Sequence, residues 1–314
     1  SDMKKNANAR LALIPAAALL ALLAACGGGG DDAGTPVTGV TESQAQAMSA
    51  NSAVVPSETA DAATTLLSTT QAVVAGGTAS QTFNCAGGGT AVFTASGGSL
   101  GSLTNGQLDA GEVYSVTYTN CVGSAGAASL SGSATLTVVS AAAGAVEVTT
   151  STSGIVVTLP QRVLTLNGTS TLSQTVVTSG ASTTTTNHWT SPQIVVTSQR
   201  NARNSSFTLT GIDITRSITT TNGVISARSS SGTHTMNAVL PNGTWTVTTA
   251  TNGAVSYDAN GVPTQGAWTI TLPNNRIGVS VVPGTLTVTV DFGADGSIDR
   301  TYTFTSAAIG AEAG

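Results

Sequence analysis

The stretch Tyr114-Ser115-Val116-Thr117-Tyr118-Thr119 decides the fold class. Its large apolar side chains occupy even positions and its hydroxyls odd ones. Successive side chains of a strand point to opposite faces, so this alternation describes a strand with one buried and one wet face. The pattern recurs. Leu286, Val288 and Val290 alternate with Thr285, Thr287 and Thr289; Trp268, Ile270 and Leu272 alternate with Thr269 and Thr271. Trp245 and Val247 alternate with Thr244 and Thr246, and Tyr302 and Phe304 with Thr301, Thr303 and Thr305. One wet face per strand is the signature of antiparallel sheet.

The turns agree. Asn222-Gly223 and Asn252-Gly253 separate β-rich runs, and a two-residue type I′ hairpin requires positive φ at both positions. Asn242-Gly243 and Asn260-Gly261 are further turn candidates. Leu130-Ser131-Gly132, Leu166-Asn167-Gly168 and Leu209-Thr210-Gly211 form a weak internal repeat. In the third copy the apolar phase slips, from Phe207 and Leu209 to Ile212 and Ile214, which predicts a β-bulge at Gly211. The expected fold is mainly β: a long antiparallel meander over residues 78–314, forming an open or closed barrel, with a sandwich as the alternative.

Residues 42–77 differ. Ala and Gln replace the β-branched alternation, Ser57 follows Pro56, acids stand at Glu58 and Asp61, and Gly76-Gly77 closes the stretch. These signals predict a helix over about 57–75, with Ala60, Ala63, Leu66, Leu67 and Val74 on its apolar face, and a shorter helix before Pro56. Such a helix covers part of a sheet, or lids a cavity.

The first 25 residues carry Lys4, Lys5 and Arg10, then an apolar run from Leu11 to Ala25. That is the order of a secretory signal peptide, and the run is short for a membrane span. Leu23-Ala24-Ala25-Cys26 resembles the lipobox of bacterial lipoproteins. The resemblance implies diacylglyceryl transfer to the Cys26 thiol, cleavage before it and acylation, palmitate included, of the new amino terminus. By the same resemblance Gly27, rather than aspartate, points to the outer membrane. Residues 26–41 would then be a lipidated flexible linker. The remainder is similar to uncharacterised β-rich proteobacterial lipoproteins in which two cysteines bracket a Gly/Asp-rich turn like Asn105 to Glu112. That likeness implies no activity.

With residues 1–25 removed, seven basic residues remain, all arginine, against fourteen acids. No basic patch survives, so nucleic acid is not an expected partner. Cys85 and Cys121 are then the remaining cysteines, and in an exported chain they are expected to pair. Closing that loop is worth about 4 kcal/mol in the chain-entropy account.

Candidate chemistry is sparse. Gly97-Gly98-Ser99-Leu100-Gly101 matches the G-x-S-x-G of hydrolase nucleophile elbows but lacks the strand–turn–helix setting, so no catalytic residue is assigned. His188 and His234 have no acid beside them at metal-ligand spacing. Asp291, Asp295 and Asp299 place three carboxylates four apart around a turn and are candidate calcium ligands; no other cofactor is expected. Asn105-Gly106, Asp109 and Glu112 resemble the later half of a calcium loop. The expectation is a non-enzymatic, lipid-anchored outer-membrane lipoprotein acting as a binding or envelope-structural module. The alternatives are a carrier holding an acyl chain or other apolar ligand between sheet and helix, and, last, a serine hydrolase using Ser99.

Overall fold

The structure is a computed structural model and describes residues 39–122, 128–160, 162–258 and 261–312. The expected signal peptide, Cys26, most of the expected linker and Asn260 lie outside the described residues.

The chain enters through one helix, α1 (Glu42–Val74). Thr41 caps it: its hydroxyl accepts from the Gln44 amide at 3.3 Å, and the Gln44 side chain accepts from the Thr41 amide at 3.0 Å. The expected break at Pro56 is corrected, because the helix runs through it. Proline removes one ladder hydrogen bond, but every residue from Ala47 to Ser57 is buried. Packing on all sides outweighs the lost bond. A helix buried all round is enclosed rather than laid on a surface. The C-terminal half keeps the expected apolar face, with Ala60, Ala63, Leu66, Leu67 and Val74 buried. Thr59, Thr64, Thr65 and Thr70 each donate to the carbonyl four residues back, satisfying hydroxyls in the helix interior.

The rest is one fifteen-stranded sheet whose pairings are all antiparallel. Its first strands are β1 (Ser80–Asn84), β2 (Thr90–Ser96), β3 (Val113–Val122), β4 (Ser129–Ala142) and β5 (Ala145–Thr158). The longest follow: β6 (Val163–Ser179), β7 (Ser182–Arg200), β8 (Arg203–Thr221) and β9 (Val224–Leu240). Then come β10 (Gly243–Thr251), β11 (Val255–Tyr257), β12 (Pro263–Leu272), β13 (Asn275–Val282), β14 (Thr285–Phe292) and β15 (Arg300–Thr305). Consecutive strands are neighbours, except that β11 pairs with β9 and β12 beside the main path. The path is open, with β1 and β15 as its ends. Asn222 and Gly223 both have positive φ, as the β8–β9 hairpin requires.

A row of bends crosses β4 to β9. The register shifts between Ser153 and Ile155 around Gly154, between Thr169 and Thr171 opposite Pro192, and between Thr210 and Asp213 around Gly211. The bulge expected at Gly211 is therefore present. Glycines on adjoining strands make room for these bends. A Cβ on Gly132 would lie 2.8 Å from the Gly154 carbonyl oxygen, one on Gly168 2.7 Å from that of Gln193, and one on Gly232 2.1 Å from that of Asp213. Bulges bend strands and increase twist, so an aligned row curls the whole sheet.

The helix crosses the curled strands instead of following any one of them. Gly39, just before α1, abuts Phe292 of β14. Arg216 of β8 donates to the Ser57 carbonyl at 2.7 Å and pairs with Asp61 at 2.5 Å. Asn187 of β7 reaches Thr64, Gln174 of β6 meets Gln71, and Gln81 of β1 donates to the Val73 carbonyl at 2.8 Å. From the start of α1 to its end, these contacts step back through the sheet, from β14 to β8, β7, β6 and β1. Beyond Gln174, Asn187 and Arg216, β6 to β9 extend past the helix, and no residue of 175–186 or 217–229 is buried.

Two short helices complete the described residues. α2 (Leu100–Leu103) lies between β2 and β3, and α3 (Ser306–Glu312) follows β15 and packs on α1. Arg200 donates to the Gly310 and Ala311 carbonyls, and Arg203 donates to the Glu312 carbonyl at 3.0 Å, so the end of α3 is fastened to the β7–β8 turn. Cys85 and Cys121 are bonded, as expected, and both are buried. The bond joins the chain just after β1 to β3.

Candidate functional site

The polar groups with the most unusual surroundings lie in the seam between α1 and strands β8 to β12. The helix contributes Ser52, Ser57, Glu58 and Asp61. Asp61 is paired with Arg216, whose side chain is only 3% exposed. Glu58 is paired with Arg162 at the start of β6. Burial pushes the Glu58 carboxyl above its ordinary range, with the Arg162 guanidinium opposing that shift. These pairs fix the helix rotation; removing one partner would strand a buried charge.

Beside them is a cavity of about 20 Å³, lined by Ser52, Pro56 and Ser57 of the helix and by His234, Thr249 and Trp268 of the sheet. The hydroxyls of Ser52, Ser57 and Thr249, His234 Nε2 and Trp268 Nε1 are buried without a protein hydrogen-bond partner. His234 lies in β9, on its buried face. Burial lowers its pKa to about 4.

This has a measurable consequence. The unfolded chain, with His234 near its ordinary 6.5, takes up the proton first, so the contribution is fully present above about pH 6.5 and is lost as pH falls toward 4. The loss should reach about 3 kcal/mol. Urea unfolding at pH 7 and pH 4 checks it: His234→Gln should fall less steeply than the parent. Equal slopes would contradict it. Glu58, Asp61, Arg162, Arg216 and Tyr257 are other ionisable groups around this seam.

The remaining candidates are placed elsewhere. His188 lies in β7, on the outer face, and its Nε2 meets Asp213 Oδ1 of β8 at 2.7 Å. The pairing joins residues that are distant in sequence, and both side chains are largely exposed. Ser99 caps α2, its hydroxyl accepting from the Ser102 amide at 3.2 Å; a short helix does follow it, contrary to the sequence reading.

Glu112 is fully buried and organises the loop before β3. It accepts from the Tyr114 hydroxyl at 2.6 Å, the Asp109 amide at 2.8 Å and the Ser102 hydroxyl. Burial, reinforced by the bond to Glu112, raises the Tyr114 phenol above its ordinary range. Asn105 donates to Asp109 at 2.6 Å. The resemblance to half a calcium loop thus resolves into an internally bonded turn.

Asp291, Asp295 and Asp299, the candidate calcium ligands, also bond to their own loop. Asp291 accepts from the Asp295 and Gly296 amides at 3.0 and 2.9 Å, Asp295 from the Ser297 amide at 2.8 Å, and Asp299 from the Phe292 amide at 2.7 Å. Their oxygens fold the β14–β15 loop as Asx-type turns. Among the described residues, no group of three or more His, Cys, Asp or Glu is placed to hold a metal ion.

The seam escaped the sequence reading because its parts come from 52 to 268 along the chain and form no motif. The available signal was Pro56 within an Ala- and Ser-rich run that lacks a polar face. No protein family, no curated protein and no solved structure matches the chain.

Proposed function

We propose that this chain is a non-enzymatic bacterial lipoprotein, anchored to the outer membrane through lipid on Cys26, whose β domain is a binding or envelope-structural module. The anchor rests on the lipobox-like Leu23-Ala24-Ala25-Cys26 and the apolar run before it. Three acyl chains at about 0.8 kcal/mol per buried CH₂ hold a protein to a bilayer where one chain does not.

The observation that carries the module reading is the filled interior. From Ala47 to Ser57 the helix is packed on every side. The cavity beside it, about 20 Å³, is far below the roughly 300–1,000 Å³ that small-molecule sites occupy. This favours a module over the carrier alternative, in which helix and sheet would part around an acyl chain. An open groove of about 450 Å³ crosses β6 to β9, lined by Val163 and Val239 together with Thr165, Thr197, Gln199 and Asn204; no residue of α1 lines it, so it is not the space between sheet and helix that the carrier reading requires. Engagement of the Ser99 hydroxyl in capping α2 supports a non-enzymatic reading.

Expression in a bacterial envelope tests the anchor. The parent should sediment with outer membranes and carry the mass of a diacylglyceryl and an acyl group. Cys26→Ser should lose both the added mass and the membrane association. Unchanged fractionation and mass would refute the anchor.

A further inference from the structure

We propose that the cavity beside Pro56 is a built hydration site, in which one or two bound water molecules join α1 to the sheet and carry the helix through its proline.

The helix supplies one wall. Pro56 has no amide hydrogen, so the Ser52 carbonyl, four residues back, loses its ladder donor. Ser52, Ala53, Pro56 and Ser57 all line the cavity, which therefore sits where the ladder is interrupted. The sheet supplies the other wall through His234, Thr249 and Trp268, from three different strands. Five side-chain polar atoms of these two walls are buried with no protein partner, on residues at most 5% exposed. Buried polar groups are almost always hydrogen-bonded, and five unmet groups would together rival the whole stability of a domain. A guest that satisfies them is required.

Size and chemistry identify it. A cavity of about 20 Å³ holds a water-sized guest and nothing much larger. The Trp268 indole only donates, and the carbonyl freed by proline only accepts. The guest must accept a hydrogen bond on one side and donate one on the other. Water does both; a halide cannot donate and a sodium ion cannot accept. The site is independent of the lipid anchor and too small for any carried ligand, so it stands apart from the proposed function.

The test is a high-resolution crystal structure of the full chain, with crystals also grown in bromide, together with NMR transfer of magnetisation from water to the Trp268 indole N–H. The expected result is ordered water within hydrogen-bond distance of Trp268 Nε1 and the Ser52 carbonyl oxygen, and a long-lived water signal at that indole. Pro56→Ala returns the missing amide hydrogen and should abolish the contact to the Ser52 carbonyl. Thr249→Val, nearly the same shape, should retain the fold and lower the occupancy. Empty density, an anomalous bromide peak in the cavity, or an unaltered carbonyl contact in Pro56→Ala would each overturn the proposal.

Discussion

Gly232→Ala is expected to lower folding stability by about 3–5 kcal/mol, the range reserved for substitutions that force a backbone rearrangement. Gly232 has φ +144°, which L side chains rarely adopt, and its Cβ would lie 2.1 Å from the Asp213 carbonyl oxygen of the neighbouring strand. Neither atom is the end of a flexible side chain, so the strands themselves must separate. That separation would fall in the row of bends that curls the sheet round α1. Gly211→Ala provides the internal comparison. Gly211 belongs to the same row, but a Cβ there meets nothing within 4 Å. Its φ of +57° costs an alanine only about 1–2 kcal/mol. Urea unfolding of the two variants should differ by about 1–4 kcal/mol, Gly232→Ala being the less stable. Equal costs would mean that glycine is needed there for conformation alone and that close strand approach does not shape the row.

The second large effect concerns α1. Deleting residues 39–77 is expected to abolish cooperative folding. Met48, Val54, Val55, Leu66, Leu67, Val73 and Val74 are all buried in the helix, against the same continuous core as Trp189, Phe207 and Trp268. Each large aliphatic side chain is worth about 1.5–3 kcal/mol when buried. Their sum reaches the 5–15 kcal/mol that separates a typical folded domain from its unfolded chain. Deletion would also leave Arg162 and Arg216 buried without Glu58 and Asp61. The deleted protein should lack a sigmoidal thermal transition and near-ultraviolet circular dichroism. A sheet that melts cooperatively without the helix would make α1 an accessory, and the carrier alternative would regain support.

Much of this architecture was legible in the sequence. Tyr114, Val116 and Tyr118 face the core and Ser115, Thr117 and Thr119 face outward, because period-two alternation translates directly into strand faces. Asn222-Gly223 marked its hairpin because so few residues tolerate positive φ. The slip of phase at Gly211 marked a bulge, although its alignment with Gly132, Gly154, Gly168 and Gly232 emerges only once strand register is known. The first half of α1 was harder. Sequence signals for helices rest on contrast between a wet and a dry face, and Ala47 to Ser57 has no wet face. Pro56 then looked like a boundary, since its cost is local and visible while the packing that offsets it is tertiary. Spacing alone does not assign Asp291, Asp295 and Asp299 to calcium, for a related reason: carboxylates spaced to surround an ion are spaced equally well to bind the amides of their own loop. The His188–Asp213 pair and the Pro56 cavity depend on strand register, which the sequence alone did not specify.

Native-state hydrogen exchange at the amides of Ala47 to Val55 tests most directly whether α1 is the fixed interior of the sheet. If it is, these amides exchange only when the whole domain unfolds, with a protection free energy equal to that from urea unfolding and unchanged by added fatty acid. Exchange through a cheaper opening that leaves β6 to β9 protected would contradict it.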